Sequence, residues 1–381
     1  MMWPRVIGQR RVKESLLAAR RRRKMPHAYL LYGGEGVGKD ALAIELARVL
    51  RCEREEDEAC GICPSCEGMA TLQHPDVRLI TPLPRWAGEE SGDDPLAKLP
   101  DADIRAIQRQ IRLKAENPYH RIVIPRGNVI KINSIRQIRR EASLSTSRSG
   151  VRIFIIPEAD AMDPPAANTL LKTLEEPPSG TLLILTTAHP EALLPTILSR
   201  CQKVRLDPLT AEEIAAALTE RDGVAPEQAS LVSRLANGSY TRALELMQLD
   251  VMQMRKDVVD FVRKALGKDI VDLTAAIEAV VDTKDRDVAV RFLTLMLVWF
   301  RDALVMSHGS QVINLDQETE LKNFLARFPG ADLLRVMADV EKAISLVERY
   351  VYIKLVLLQL ALELKAAILP GAATRLPAII A

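Results

Sequence analysis

The sequence predicts an α/β domain built on a mainly parallel sheet, then a few short helices, then an all-α domain. From Met1 to about Leu206, short β-rich runs alternate with helical stretches, as in strands joined by crossover helices. Residues 33–40 read Gly-Gly-Glu-Gly-Val-Gly-Lys-Asp, a phosphate-binding loop set between a strand-like run and a helix-like one. No proline interrupts the chain between Pro226 and Pro329, so about Leu249 to Lys365 reads as helix almost throughout. With 381 residues, 48% of them apolar and 27% charged, the chain has ordinary globular composition and room for two or three domains.

The expected strands are Tyr29–Tyr32, Val77–Thr81, Ile153–Ile156, Leu182–Thr187 and Gln202–Leu206. Between the second and third lies a stretch from Pro82 to Pro125 with six prolines and the acidic residues Glu89, Glu90, Asp93 and Asp94. It reads as an insertion whose acidic tip is poorly ordered. Thr210 followed by Glu213 is a capping-box pattern that opens the short-helix region. The expected domains are therefore residues 1–207, 208–248 and 249–381. The first carries a cysteine module at 52–66 and the insertion at 82–125. In the last, apolar stripes such as Leu293, Leu297 and Phe300 serve the core first and an interface second. The tail from Pro370 to Ala381 is rich in small residues and reads as loose.

The phosphate loop departs from its pattern at one position. In a working loop the backbone N–H groups cradle the phosphates, the Lys reaches the β and γ phosphates, and a final Ser or Thr ligates Mg²⁺. Here that final residue is Asp40, which sets a carboxylate beside groups that are themselves anionic. The strand Val151–Ile156 should end in an Asp that holds the metal and a Glu that polarises the attacking water. It ends Pro157-Glu158-Ala159-Asp160, so the Glu is kept and the metal-holding Asp is Pro157. Gly33, Gly36, Gly38, Lys39, Asp40 and Glu158 thus outline a degenerate nucleotide site in which both positions that serve the metal ion have changed.

Cys52, Cys60, Cys63 and Cys66 are spaced C-x7-C-x2-C-x2-C. Two overlapping C-x2-C steps let four thiolates converge on one ion, which suits a closed, structural tetrahedral Zn²⁺; the spacing leaves an iron–sulfur cluster open as well. The net charge of +2 excludes a strongly basic protein, and 4% aromatic residues argue against base stacking as the main mode of nucleic-acid binding. No apolar run is long enough to span a membrane, and Met1-Met2-Trp3-Pro4-Arg5 lacks a signal-peptide core, so a cytoplasmic protein is expected. The five consecutive cations Arg20 to Lys24 read as a solvated helix end before Met25-Pro26 more than as a nucleic-acid patch.

The run from Asn168 to Pro178, Asn-Thr-Leu-Leu-Lys-Thr-Leu-Glu-Glu-Pro-Pro, and the run from Leu194 to Cys201, Leu-Pro-Thr-Ile-Leu-Ser-Arg-Cys, resemble the bacterial clamp-loader subunits of DNA polymerase III, of the AAA+ class. The four-cysteine segment after the loop helix, His74-Pro75-Asp76 and Ile132-Asn133-Ser134-Ile135-Arg136 fit the same family. The resemblance covers about Pro4 to Leu246. It implies an AAA+ domain with a zinc module, a helical lid and a helical collar, working in a pentameric ring that loads a sliding clamp on primed DNA. The implied partners are the gamma or tau motor subunits, the delta subunit, the clamp, and DNA held through phosphates without sequence reading.

Within that family the gamma/tau motors keep an intact loop, and Asp40 with Pro157 sets this chain apart from them. The resemblance makes Arg200 an arginine finger, reaching the γ-phosphate of ATP held by a neighbouring subunit. Arg242 matches a lid arginine, for which two roles fit: contact with a nucleotide below it, or locking of the lid to the first domain. Val6-Ile7-Gly8-Gln9 matches a segment lining an adenine pocket. Arg136, Arg139 and Arg140 follow Ile132 on a helix that the family directs toward the duplex. Cys201 reads as a buried structural residue, since no basic partner is evident beside it. The chain is then a non-hydrolysing part of the DNA-directed DNA polymerase holoenzyme and its clamp-loading ATPase. The alternatives are a gamma/tau-like motor ATPase with an atypical loop and, more weakly, a zinc-dependent DNA-binding regulator.

Overall fold

In the computed structural model, residues 3–54, 56–85, 90, 92–142, 151–247, 251–281, 286–309 and 317–369 are described. The chain divides into two compact units, Met1–Leu244 and Glu245–Ala381. The expected boundary near residue 249 and the tail from Pro370 lie outside the described residues, as does Glu89 of the acidic stretch.

The first unit opens with α1 (Arg10–Arg21), β1 (Ala28–Tyr32), α2 (Lys39–Arg51), α3 (Pro64–Ala70) and β2 (Val77–Leu79). It continues with α4 (Asp101–Glu116), α5 (Ile132–Ala142), β3 (Arg152–Ile156), α6 (Pro164–Glu175), β4 (Thr181–Thr187), α7 (Pro195–Leu198) and β5 (Gln202–Arg205). Three helices follow: α8 (Ala211–Asp222), α9 (Pro226–Leu235) and α10 (Tyr240–Met247), the last running across the division between the units. All five expected strands are present and pair in parallel in the order β2-β3-β4-β1-β5. β1, β3 and β4 are buried almost along their whole length, because helices cover both faces of a parallel sheet. That order sets the C-terminal end of β4 between the phosphate loop after β1 and Glu158 after β3, at the edge where such sheets carry their ligands.

Two local features follow from sequence chemistry. The capping box at α8 forms as expected: the Glu213 N–H donates to Thr210 Oγ1 (3.2 Å) and the Thr210 N–H to Glu213 Oε2 (3.0 Å). Beyond its acidic tip the insertion carries a 16-residue helix, α4. Its core is small, with Leu83, Leu99, Ile107 and Ile124 buried together and Ile104 and Ile111 packed against them. The apolar spacing of Ile104, Ile107 and Ile111 is helical, but the flanking prolines and acids mask it.

The second unit is helical: α11 (Val251–Leu266), α12 (Ile270–Val281), α13 (Arg286–Ser307), α14 (Glu318–Arg327), α15 (Leu333–Glu348) and α16 (Ile353–Ile368). α15 packs against both α13 and α16. Leu293 and Phe300 are fully buried and Leu297 half-buried, in keeping with core residues on α13. Among the described residues no helix is long and apolar enough to cross a membrane.

Candidate nucleotide-like site, cysteine cluster and Arg200

The glycines of the phosphate loop allow close approach, and protein atoms already use it. Gly36 and Gly38 have φ of +71° and +97°, and a Cβ would stand 2.0 Å from Ser239 Oγ at the first and 2.7 Å from the Tyr119 hydroxyl at the second. The Tyr240 N–H donates to the Gly36 carbonyl (3.1 Å), so the start of α10 sits directly on the loop. Tyr119 ties several segments together. Its hydroxyl accepts from the Ile7 N–H (2.8 Å), its carbonyl from Thr241 Oγ1 (3.3 Å), and its ring meets that of Tyr240 edge-on at 4.9 Å. The segment expected to line an adenine pocket, Val6 to Gln9, is thus pinned by a tyrosine, with Val6 and Ile7 buried.

Lys39 turns back on its own loop, donating to the carbonyls of Gly33 (2.9 Å) and Gly34 (2.6 Å). Burial lowers the pKa of its ammonium, against the pull of the Asp40, Glu35 and Asp160 charges. Asp40 is held by two groups: Lys114 Nζ lies 2.6 Å from its Oδ2, and Thr186 Oγ1 donates to its Oδ1 (2.6 Å). Burial by itself would raise the Asp40 carboxyl. The charge and hydrogen bond of Lys114, then the Thr186 bond and the Lys39 charge, outweigh it and hold the carboxyl below its ordinary value. Lys114, only 3% exposed, also donates to the His120 carbonyl (2.8 Å). Arg121 pairs with Glu158 (3.2 Å) and approaches Glu35 of the loop (4.0 Å). Sequence reasoning missed Lys114, Tyr119 and Arg121, whose partners on the loop and strand ends lie far away in the chain.

Removing the Lys114 charge should be costly. Lys114→Met leaves the Asp40 carboxylate without its cation, and we expect a loss of about 3 kcal/mol in denaturant unfolding at neutral pH. Since the wild-type carboxyl is depressed, its contribution is complete well above the ordinary value of 3.8 and is lost as pH falls past it through the lower folded value. In the variant, only the Thr186 bond and the Lys39 charge oppose burial, so the carboxyl should rise and the stability gap between the two proteins should narrow on acidification through the carboxylate range.

The four cysteines converge. Their sulfurs all lie within 4.8 Å of one another, with Cys60 and Cys66 at 3.9 Å, so the cluster could hold a metal ion. Tetrahedral zinc with Zn–S bonds of about 2.3 Å needs sulfurs roughly 3.8 Å apart, close to this spacing. Cys52 closes the C-terminus of α2, and Cys63 caps α3, accepting from the Cys66 N–H (3.4 Å). The Cys60 N–H donates to Cys52 Sγ (3.3 Å). Amides aimed at sulfur favour thiolates, and a cation relieves the repulsion among them. The module is braced by Arg20 and Arg21, which both pair with Asp57, and by Trp3 Nε1, which donates to the Asp57 carbonyl (2.8 Å). Arg21 to Lys24 are exposed, as expected of a solvated helix end, but Arg20 and Arg21 also brace the module through Asp57.

Nearby, His74 Nδ1 accepts from the Asp76 N–H (3.0 Å), so Nε2 carries the proton given to Ser65 Oγ (2.7 Å). Such a histidine cannot act as a base toward Ser65. Asp76 is fully buried between Arg51 (2.8 Å) and Arg152 (3.3 Å), which makes the His-Pro-Asp run structural.

Arg200 stands just past α7, with its side chain 35% exposed. One η nitrogen donates to the Thr196 carbonyl (3.0 Å) and the other pairs with Glu175 (2.9 Å). Cys201 beside it is buried, and burial pushes its thiol up to about 11, as fits a structural residue. On α5, Arg139 and Arg140 are exposed and Arg136 is half-buried; Arg140 donates to the Gly92 carbonyl (2.8 Å). The Arg242 N–H is capped by Ser239 Oγ (3.2 Å), which ties that residue's backbone to the start of α10.

A family profile described as DNA polymerase III, delta subunit, matches residues 8–210. The DNA polymerase III subunit delta' of Bacillus subtilis is 31% identical over 242 residues, which are 64% of this chain and 60% of that relative's length. The delta' subunit of Escherichia coli is 27% identical over 331 residues, 86% of this chain and 84% of that relative. The gamma/tau subunit of Mycobacterium tuberculosis is 28% identical over 328 residues, 79% of this chain and 49% of that relative.

Proposed function

This chain belongs to the DNA polymerase III delta-subunit family, and we propose that it is the delta-prime subunit of a clamp loader, one that does not hydrolyse ATP at its own site. The observation that carries this reading is the pairing of Asp40 with Lys114, at the position where a phosphate loop needs a hydroxyl free for Mg²⁺. Protein groups meet the needs of the loop from within: Lys114 supplies a cation, loop carbonyls hold Lys39, and Arg121 engages Glu158. The residues present do not fit a magnesium-bound nucleotide.

Its role is then in trans. Arg200, half-exposed at the end of α7, is the finger offered to ATP on the neighbouring motor subunit, where it neutralises charge that develops on the transferred phosphoryl group. The four cysteines hold a structural Zn²⁺ that fixes the end of α2 to α3. Arg136, Arg139 and Arg140 contribute phosphate contacts to primed DNA, giving affinity without sequence preference. In place of a nucleotide-reporting Arg242, the Tyr240 bond to Gly36 of the loop and the Thr241 bond to Tyr119 lock the lid to the first domain. The partners are the gamma or tau motors, the delta subunit and the sliding clamp, in a cytoplasmic pentameric ring.

Similarity to gamma/tau subunits favours a second reading, a motor ATPase with an atypical loop. Reconstitution separates the two. With the matching motor and delta subunits, Lys39→Ala in this chain should leave clamp- and DNA-stimulated ATP hydrolysis and clamp loading unchanged. A severe loss would favour the motor reading.

A further inference from the structure

We propose that Glu175 is the positioning residue for Arg200, holding the guanidinium in its finger geometry before a neighbour arrives. This inference rests on the reading of Arg200 as a finger in trans. A long, flexible side chain at a subunit boundary samples many rotamers, and each must be given up when it meets a phosphate. Arg200 is instead held at both η nitrogens, by the Thr196 carbonyl (3.0 Å) and by Glu175 Oε1 (2.9 Å). A guanidinium has five N–H donors, so two such bonds leave donors for a ligand.

The two anchors come from one packed unit. Glu175 is the last residue of α6 and follows Leu174, which is buried in the same core cluster as Ile197 of α7 and Cys201. Ser199 Oγ also donates to the Thr196 carbonyl (3.1 Å). The core thus fixes where the carboxylate and the arginine backbone stand, and the ion pair fixes the side chain between them. Glu176, one residue on, is equally acidic and exposed but forms no ion pair among the described residues. It is the internal control.

The test uses the reconstituted loader, with clamp- and DNA-stimulated ATP hydrolysis followed for Glu175→Ala, Glu175→Gln, Glu176→Ala, Arg200→Ala and the double variant Glu175→Ala/Arg200→Ala. Glu175→Ala should lower kcat about tenfold, the size of effect expected when a preorganised group is loosened and not removed, with KM for ATP little changed. Glu175→Gln, whose amide oxygen still accepts, should recover part of the rate, and Glu176→Ala should match wild type. In the Arg200→Ala background the Glu175 substitution should add nothing, because it acts only through Arg200. Since the pair is half-exposed, melting and ring assembly of Glu175→Ala should be unaltered. Full activity or a raised rate in Glu175→Ala, with Arg200→Ala slow, would overturn the positioning role alone. Full activity in Arg200→Ala would overturn the finger reading and this inference with it.

Discussion

Arg200→Ala in this chain is expected to slow ATP hydrolysis by the assembled loader by about 10³-fold at the one site it serves. A finger acts on charge that builds up in the transition state, so the loss should fall on kcat and leave nucleotide binding to the motor nearly intact. Its surroundings suit that task. The side chain is neither buried nor loose, and its carboxylate partner, Glu175, lies on its own subunit. Single-turnover measurements on rings with one competent motor would isolate this single-site effect from the total rate. Folding and assembly should be little changed, as the residue contributes a half-exposed ion pair with Glu175 and a hydrogen bond to the Thr196 carbonyl of its own chain.

The largest effect on stability should come from the cysteine cluster. Structural zinc in small modules is coupled to folding by about 10 kcal/mol or more. Little else in the 52–66 segment can replace that contribution: few of its side chains are buried, although Cys52 and Cys66 are. Stripping the metal with a chelator, or Cys63→Ser, should therefore unfold the module and expose Trp3, which is fully buried and hydrogen-bonded to Asp57. Hydrogen exchange across residues 52–70 should rise sharply, with a smaller rise at the end of α2. Elemental analysis should give one zinc per chain, and an iron–sulfur cluster would announce itself by colour and by iron content.

Much of this was legible in the sequence, and the reasons differ by element. The five strands were readable because a doubly covered parallel sheet writes each strand as a short apolar run between turn signals. The cysteine cluster was readable because its ligands are close in the chain, so spacing alone brings them together. Asp40 was recognisable as a departure from pattern, but its consequence was not. Lys114 lies 74 residues away, inside a proline-rich insertion whose helix the composition does not single out. Nothing local in that segment announces that Lys114, Tyr119 and Arg121 return to the loop. Glu175 was seen only as part of a motif; its partnership with Arg200 depends on how α6 and α7 share a core. Tertiary pairings of charged groups are the part that periodicity and spacing do not encode.

On the proposed reading, the phosphate loop of this chain is closed by its own residues and the hydrolysis it serves happens on the neighbouring subunit. The most direct measurement is a calorimetric titration of MgATP into the purified chain alone, with phosphate release followed in the same sample. We expect no binding up to about 1 mM, a ceiling weaker than roughly 4 kcal/mol of affinity, and no release above background. Micromolar binding with turnover that Lys39→Ala abolishes would contradict the claim.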